Sequence, residues 1–191
     1  MHLFIFIGPS AAGKTTVMEA LLADPDLNLV RFPTTTTRDR RPGEVQGVQY
    51  QFLSETEFRA QVADQQFFEW TEIYGHLYGT NRATLQSLSQ GTRPIVCVLE
   101  LEGARKIKQA MPKQTTIVLI EASRETLLHR LHARHTDEAD ITKRIERIDR
   151  ELSSYPELAD VTIQNPEGDL AQTIERTKKV ILQTIQGNTQ R

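Results

Sequence analysis

Residues 8–16 read GPSAAGKTT and fit G-x-x-x-x-G-K-[S/T], with Gly8, Gly13, Lys14 and Thr15 at the fixed places. No other stretch restricts the fold as tightly. Such a loop turns its backbone N–H groups inward onto an anion, and glycine allows the turn without a Cβ clash. The lysine then reaches the outer phosphates as a mobile point charge, and the hydroxyl after it helps to hold Mg²⁺. The flanks agree with this reading. Residues 2–7, HLFIFI, form a short apolar run that predicts a buried strand. Behind the loop, Val17, Met18, Leu21 and Leu22 fall at helical spacing. Strand, loop and helix in that order set a helix N-terminus, with its partial positive charge, against the anion. Gly8, Pro9, Ser10, Ala11, Ala12, Gly13, Lys14, Thr15 and Thr16 are the candidate phosphate contacts, and Thr15 is the candidate metal contact through its hydroxyl.

Composition narrows what surrounds the loop. A chain of 191 residues suits one domain with a substantial core. Its formal net charge of −2 supplies no general field toward nucleic acid or a membrane surface. The single cysteine, Cys97, excludes an internal disulfide and suits a reducing cytosol. It sits in an apolar run, as a small core residue does. The apolar start is too short for a secretory signal and lacks a basic flank, and no apolar stretch approaches a membrane span. A cytoplasmic location is expected.

Periodicity then predicts a β-rich segment over 34–80: an extended tract from Thr34, a turn at Pro42-Gly43, a strand over 48–52, a helix opened by Ser54 and Glu57 and ending near Asp64, and strands over 67–73 and 77–80 around Gly75. Beyond it, helix is predicted over 81–90, strand over 94–99, helix over 103–111 and strand over 116–120. Ser123 then caps a helix carrying Leu127, Leu128 and Leu131. A polar stretch over 135–140, a charged helix over 141–152, a strand over 161–163 and a helix over 169–185 with a fraying tail complete the chain. Strands alternating with helices indicate an α/β fold: a parallel sheet with helices on both faces, binding ligands at the carboxyl ends of its strands.

Two charged groups bear on chemistry. Arg38, Arg40 and Arg41 lie in an extended segment followed by Tyr50, Glu69, Tyr78 and Thr80. Most such basic clusters are solvated turns. Guanidinium forks that bind phosphate, with a carboxylate and hydroxyls on one small subdomain, would instead suit a nucleoside monophosphate. A carboxylate accepts two adjacent N–H bonds, which guanine offers and adenine does not. Arg130, Arg134, Arg144 and Arg147 flank the second polar stretch. They read either as solvated helix faces with pairs such as Glu146–Arg150 or as a mobile lid carrying cations to a transferring phosphoryl group. His129, His132 and His135 drift around a helix and read as surface residues with no metal site.

These residues resemble the guanylate kinases over nearly the whole chain. GPSAAGKTT is similar to the family's ATP-binding loop. Residues 34–50, TTTTRDRRPGEVQGVQY, resemble its TTR-x-x-RPGE-x-x-G-x-x-Y segment. FFEW at 67–70 followed by YGHLYGT at 74–80 resembles its guanine-binding stretch, and RLHARHTD at 130–137 its lid. The resemblance implies an ATP-dependent, Mg²⁺-requiring conversion of GMP to GDP, with dGMP a second candidate acceptor. It implies that Arg38, Arg41, Tyr50 and Tyr78 hold the GMP phosphate and that Thr34, Glu69 and Thr80 address guanine, with Glu100 also on the GMP side. Lys14 and Thr15 would serve ATP·Mg²⁺, Arg134 and Arg144 would close over the phosphates, and Asn165 would lie near adenine. Catalysis would rest on Lys14, Arg38, Arg134 and Arg144. The implied division is a core (1–33, 81–125, 155–187), a GMP-binding region (34–80) and a lid (about 126–154) in a monomer or homodimer, without nucleic-acid or membrane partners.

The sequence also departs from the family pattern. Val98, Glu100 and Glu102 stand where the family has an acid, an aspartate and a glutamine. His135 replaces a usual glycine in a lid one residue shorter, and Asn165-Pro166-Glu167 replaces NDD. Two alternatives therefore stand beside the kinase: a related binding module without catalysis, and a P-loop kinase with a shifted acceptor.

Overall fold

The chain begins by building a strand that meets no solvent. In the computed structural model, which describes residues 1–133 and 137–189, β1 (Leu3–Ile7) is wholly buried. After it come α1 (Lys14–Leu22), a 3₁₀ turn at Pro25–Leu27, β2 (Val30–Arg31), β3 (Thr34–Thr36), β4 (Tyr50–Phe52), α2 (Glu55–Ala63), β5 (Phe67–Ile73), β6 (His76–Asn81) and α3 (Arg82–Ser89). Then follow β7 (Ile95–Val98), α4 (Leu101–Ala110), β8 (Thr115–Glu121), α5 (Arg124–Ala133), α6 (Glu138–Glu151), α7 (Ser154–Leu158), β9 (Val161–Gln164) and α8 (Leu170–Thr189).

One sheet has the order β2-β7-β1-β8-β9, and all its pairs are parallel. Its strands are apolar on both sides because helices cover both faces. Phe4, Phe6, Val96 and Val118 pack with Val17 and Leu21 of α1 and Ile181 of α8. Ile5, Cys97, Ile117 and Leu119 pack on the other face with Ala104 and Ile107 of α4 and with Tyr155. Each fully buried aliphatic or phenyl side chain contributes about 1.5–3 kcal/mol.

The second sheet, β4-β3-β6-β5, is formed by the predicted insertion. Its own small core is Phe58, Phe67 and Leu77, with the two phenyl rings stacked at 4.3 Å. α2 starts at a capping box: Glu57 N–H donates to Ser54 Oγ at 3.2 Å and Ser54 N–H to Glu57 Oε2 at 2.8 Å. α3 is capped by Asn81 and α5 by Ser123, through bonds of 3.2 and 3.1 Å.

Several boundaries differ from the periodicity. β4 begins at Tyr50, because Gly47 turns the chain at φ 77° and leaves Val48 exposed. α4 begins at Leu101, directly after β7, with Glu100 at its N-cap. α6 begins at Glu138, so Asp140 lies in its first turn, where acidic side chains favour the helix dipole. α7 was not predicted: a five-residue helix is too short for a periodic signal. α8 continues through Gly187 to Thr189. Among the described residues, no helix is long and apolar enough to cross a membrane.

Candidate active site

The phosphate loop links β1 to α1 at the carboxyl edge of the first sheet. Its shape demands glycine at two positions. Gly8 has φ +138°, and a Cβ there would lie 2.2 Å from the Ile120 carbonyl oxygen. Gly13 has φ +95°, and a Cβ would meet Asn165 Nδ2 at 2.3 Å. Asn165 is buried behind the loop. Its Nδ2 donates to the Ala12 carbonyl at 2.8 Å, while its Oδ1 accepts from Thr173 Oγ1 at 3.1 Å. Lys14 Nζ donates to the carbonyls of Gly8 at 2.6 Å and Pro9 at 2.8 Å. Thr15 and Thr16 are exposed on the first turn of α1.

The loop forms one wall of a cleft of about 790 Å³. Arg38, Arg41, Glu44, Tyr50 and Tyr78 line the opposite wall, and Glu100, Asp140, Arg144 and Arg147 close a third side. Arg38 donates through Nη2 to both Glu44 oxygens, at 2.8 and 3.0 Å, and its guanidinium carbon lies 5.5 Å from the Tyr50 ring centre. Glu44 also accepts the Arg41 backbone N–H at 2.8 Å. Burial opposes the charge on Glu44, but Arg38 and the Arg41 N–H hold its carboxyl below the usual range. Burial and the neighbouring Tyr78 push the Tyr50 phenol up to about 12 against the pull of Arg38, so it stays an O–H donor.

A smaller cavity of about 30 Å³ adjoins the cleft, lined by Thr34, Tyr50, Glu69, Thr71, Tyr78, Val98 and Glu100 among others. Sheet register places this group. Glu69 pairs with Thr80, Thr71 with Tyr78, and Thr36 with Tyr78 from the other side. Glu69 is buried, and Thr80 Oγ1 donates to its Oε1 at 2.5 Å. The same carboxylate backs onto α4, where a Cβ at Gly103 would come within 2.8 Å of Oε2. Burial shifts the Glu69 carboxyl upward, against the pull of Thr80 and Lys106.

From α6, Arg144 donates to Asp140 at 2.8 Å and to Ser10 Oγ of the phosphate loop at 3.2 Å. Arg147 donates to Glu100 and to Glu151, each at 2.8 Å, and Tyr155 O–H donates to Glu151 at 2.8 Å. Both guanidinium groups lie over the Tyr74 ring, at 4.8 and 5.4 Å from its centre.

The structure thus brings most of the expected residues to one cleft. Thr80 and Asn165 line neither cavity, and each spends its polar group on a neighbour, Glu69 or Ala12. Arg130 is occupied by Glu167 at 2.9 Å and by the Asn165 and Pro166 carbonyls at 3.2 Å. Arg134 lies outside the described residues. The expected Glu146–Arg150 pair is replaced by pairs from Arg144 and Arg147. In the altered acid stretch, Val98 presents an apolar surface to both cavities, Glu100 reaches Arg147, and Glu102 is exposed near Arg105 at 3.5 Å. Sequence reasoning assigned no role to Glu44 or Tyr74, and it read Arg147 only as one of four candidate lid cations. The spacing of Arg147 three residues after Arg144, on one helix face, was the usable signal for it. Glu44 is recognisable only once the Pro42-Gly43 turn folds it back.

The donor set fits a Mg²⁺ that arrives with its nucleotide. Thr15 lines the cleft, while the Glu100 and Asp140 carboxylates that also line it are paired with arginines. Among the described residues no group of three or more His, Cys, Asp or Glu gathers as a metal cage. Mg²⁺ is commonly held this way, by few protein oxygens together with phosphates and water.

Comparison with known proteins agrees with the geometry. The family model for guanylate kinase matches residues 1–184. A guanylate kinase of Synechococcus sp. is 37% identical over 170 residues, covering 88% of this chain and 92% of the relative. One from Shewanella oneidensis is 37% identical over 172 residues, covering 89% and 82%. Among solved structures, guanylate kinase from Anaplasma phagocytophilum has a TM-score of 0.71 at 24% identity, covering 95% of this chain and 84% of that one. A shikimate kinase from Acinetobacter baumannii shares the fold at a TM-score of 0.53 and 14% identity, covering 96% and 94%.

Proposed function

Since the chain belongs to the guanylate kinase family, we propose that it transfers the γ-phosphoryl group of ATP to GMP, giving ADP and GDP. The observation that carries this is the single cleft shared by the phosphate loop and the Arg38–Arg41–Tyr50–Tyr78 group, with Glu69 in the adjoining cavity.

In this reading the residues take the following roles. Thr34 and the Glu69 carboxylate address the guanine edge, and Thr80 holds that carboxylate in line. Arg38, Arg41, Tyr50 and Tyr78 take the GMP phosphate. The loop from Gly8 to Thr16 cradles the ATP phosphates, and Asn165 supports it from behind. Thr15 would hold Mg²⁺, which spreads the charge of the ATP phosphates when bound. One oxygen of the GMP phosphate attacks the γ-phosphorus as the bond from that phosphorus to the bridging oxygen breaks, and the electron pair leaves on ADP. The attacking oxygen is already anionic, so no strong base is required. Alignment and charge neutralisation by Lys14, Arg38, Arg134 and Arg144 supply the catalysis. The sheet of β3 to β6 serves as the GMP-binding region, the segment around α5 and α6 as the lid, and the cytoplasm as the working compartment.

The test is ADP release with ATP and Mg²⁺, offering GMP, dGMP, AMP, UMP or no acceptor. Turnover confined to GMP and dGMP supports the reading. Equal turnover with AMP or UMP overturns the acceptor assignment. GMP binding without turnover would make the chain a binding module, a reading its intact phosphate loop does not favour.

A further inference from the structure

Tyr74 carries a feature that neither the family membership nor the residue roles above account for. It joins β5 to β6 in a two-residue turn with Gly75, and both central residues have positive φ, 53° and 75°. That is the pattern of a type I′ hairpin, which favours Asn-Gly. A tyrosine with positive φ is a genuine outlier, retained when the surroundings over-determine it.

The surroundings here are the guanidinium groups of Arg144 and Arg147, over the Tyr74 ring at 4.8 and 5.4 Å. Both come from α6, three residues apart on one face. Beyond the ring they diverge, Arg144 to Ser10 of the phosphate loop and Arg147 to Glu100 at the end of β7. All of these residues line the same cleft. An aromatic face attracts a guanidinium through its π-electrons, whereas a carboxylate partner occupies the N–H edge. A ring can therefore fix where a cation sits without using its edge donors, which here bond Asp140, Ser10, Glu100 and Glu151.

We propose that Tyr74 is a positioning residue that clasps Arg144 and Arg147 of α6 to the GMP-side sheet, so that both cations are held where phosphoryl transfer occurs. The catalytic part of this inference rests on the phosphotransfer reading above. The clasp itself does not.

Two variants of the whole chain separate the possibilities. Tyr74→Phe keeps the ring, and Tyr74→Asn removes it while supplying the residue the turn prefers. Both stay folded, with Tm within about 3 °C of the parent. Hydrogen exchange of the α6 backbone amides in nucleotide-free protein becomes about threefold or more faster in Tyr74→Asn and is unchanged in Tyr74→Phe. In turnover with ATP and GMP, Tyr74→Asn loses about tenfold in kcat with KM for GMP within about twofold, and Tyr74→Phe stays near the parent. Parent-like exchange in Tyr74→Asn overturns the clasp, and so does a Tyr74→Phe that falls as far as Tyr74→Asn. Parent-like kcat in Tyr74→Asn overturns the catalytic part. If the parent does not turn over GMP, the phosphotransfer reading fails, and the exchange comparison still decides the clasp.

Discussion

On the GMP side of the cleft, Thr34, Glu69 and Tyr78 stand at register positions of one sheet, and each is fixed by strand pairing before any ligand enters. On the ATP side, Arg144 and Arg147 reach in from a helix. They are fixed by other side chains: Asp140, Ser10, Glu100, Glu151 and the Tyr74 ring. Strand register tolerates little displacement, because a one-residue slip turns every side chain to the other face. One side is thus set by backbone pairing, and the arginines of the other by side-chain partners and an aromatic ring.

The sharpest way to break this contrast is Lys14→Ala. Loss of the loop cation should lower kcat by about a thousandfold while GMP affinity changes by no more than about threefold. A matching loss of GMP affinity, read by calorimetry, would mean that the two sides are not separable.

Glu69→Gln should do the reverse, raising KM for GMP by about a hundredfold with a smaller change in kcat, because a buried pair of N–H donors loses its charged acceptor. pH sharpens the point. Only the ionised carboxylate accepts both N–H bonds, and burial raises the pKa of Glu69 above the ordinary 4.5. GMP affinity is thus present above the raised pKa and fades as pH falls through it, sooner than an ordinary glutamate would allow. Stability has the opposite sign. The folded carboxyl holds its proton more tightly than the unfolded one, so stability declines as pH rises between the two values. Glu69→Gln should flatten both dependences, measured as KM and as unfolding free energy across the acid range.

Gly103→Ala tests whether the core helix sets the position of that carboxylate. A methyl group 2.8 Å from Glu69 Oε2 must displace it, with an expected rise of about tenfold in KM for GMP and kcat nearly kept. The smallest effect belongs to Asn165→Ala. Losing the brace on Ala12 should raise KM for ATP about fivefold, leave GMP affinity alone and cost about 1–3 kcal/mol in stability.

The same contrast explains what could be read before the structure. The phosphate loop, the buried parallel strands and the capping box at Ser54 are local patterns, and they appear where local rules put them. Arg38, Tyr50, Glu69 and Tyr78 stand in ordered motifs, and strand pairing carries them to one place. Asn165 and Thr80 were legible as residue types but not as placements. Their partners, Ala12 and Glu69, lie 153 and 11 positions away and are met only through the fold. The turn at Gly75 was legible, but the placement of Tyr74 was not, since its partners Arg144 and Arg147 stand on α6 and are met only through the fold.

The most direct measurement is calorimetric titration of GMP into the nucleotide-free protein, with and without a non-hydrolysable ATP analogue and Mg²⁺. A GMP site held by strand register predicts saturable GMP binding without the analogue, none for AMP, and affinity within about threefold when the analogue is added. GMP binding that appears only once the analogue and Mg²⁺ are present would contradict a preformed GMP side.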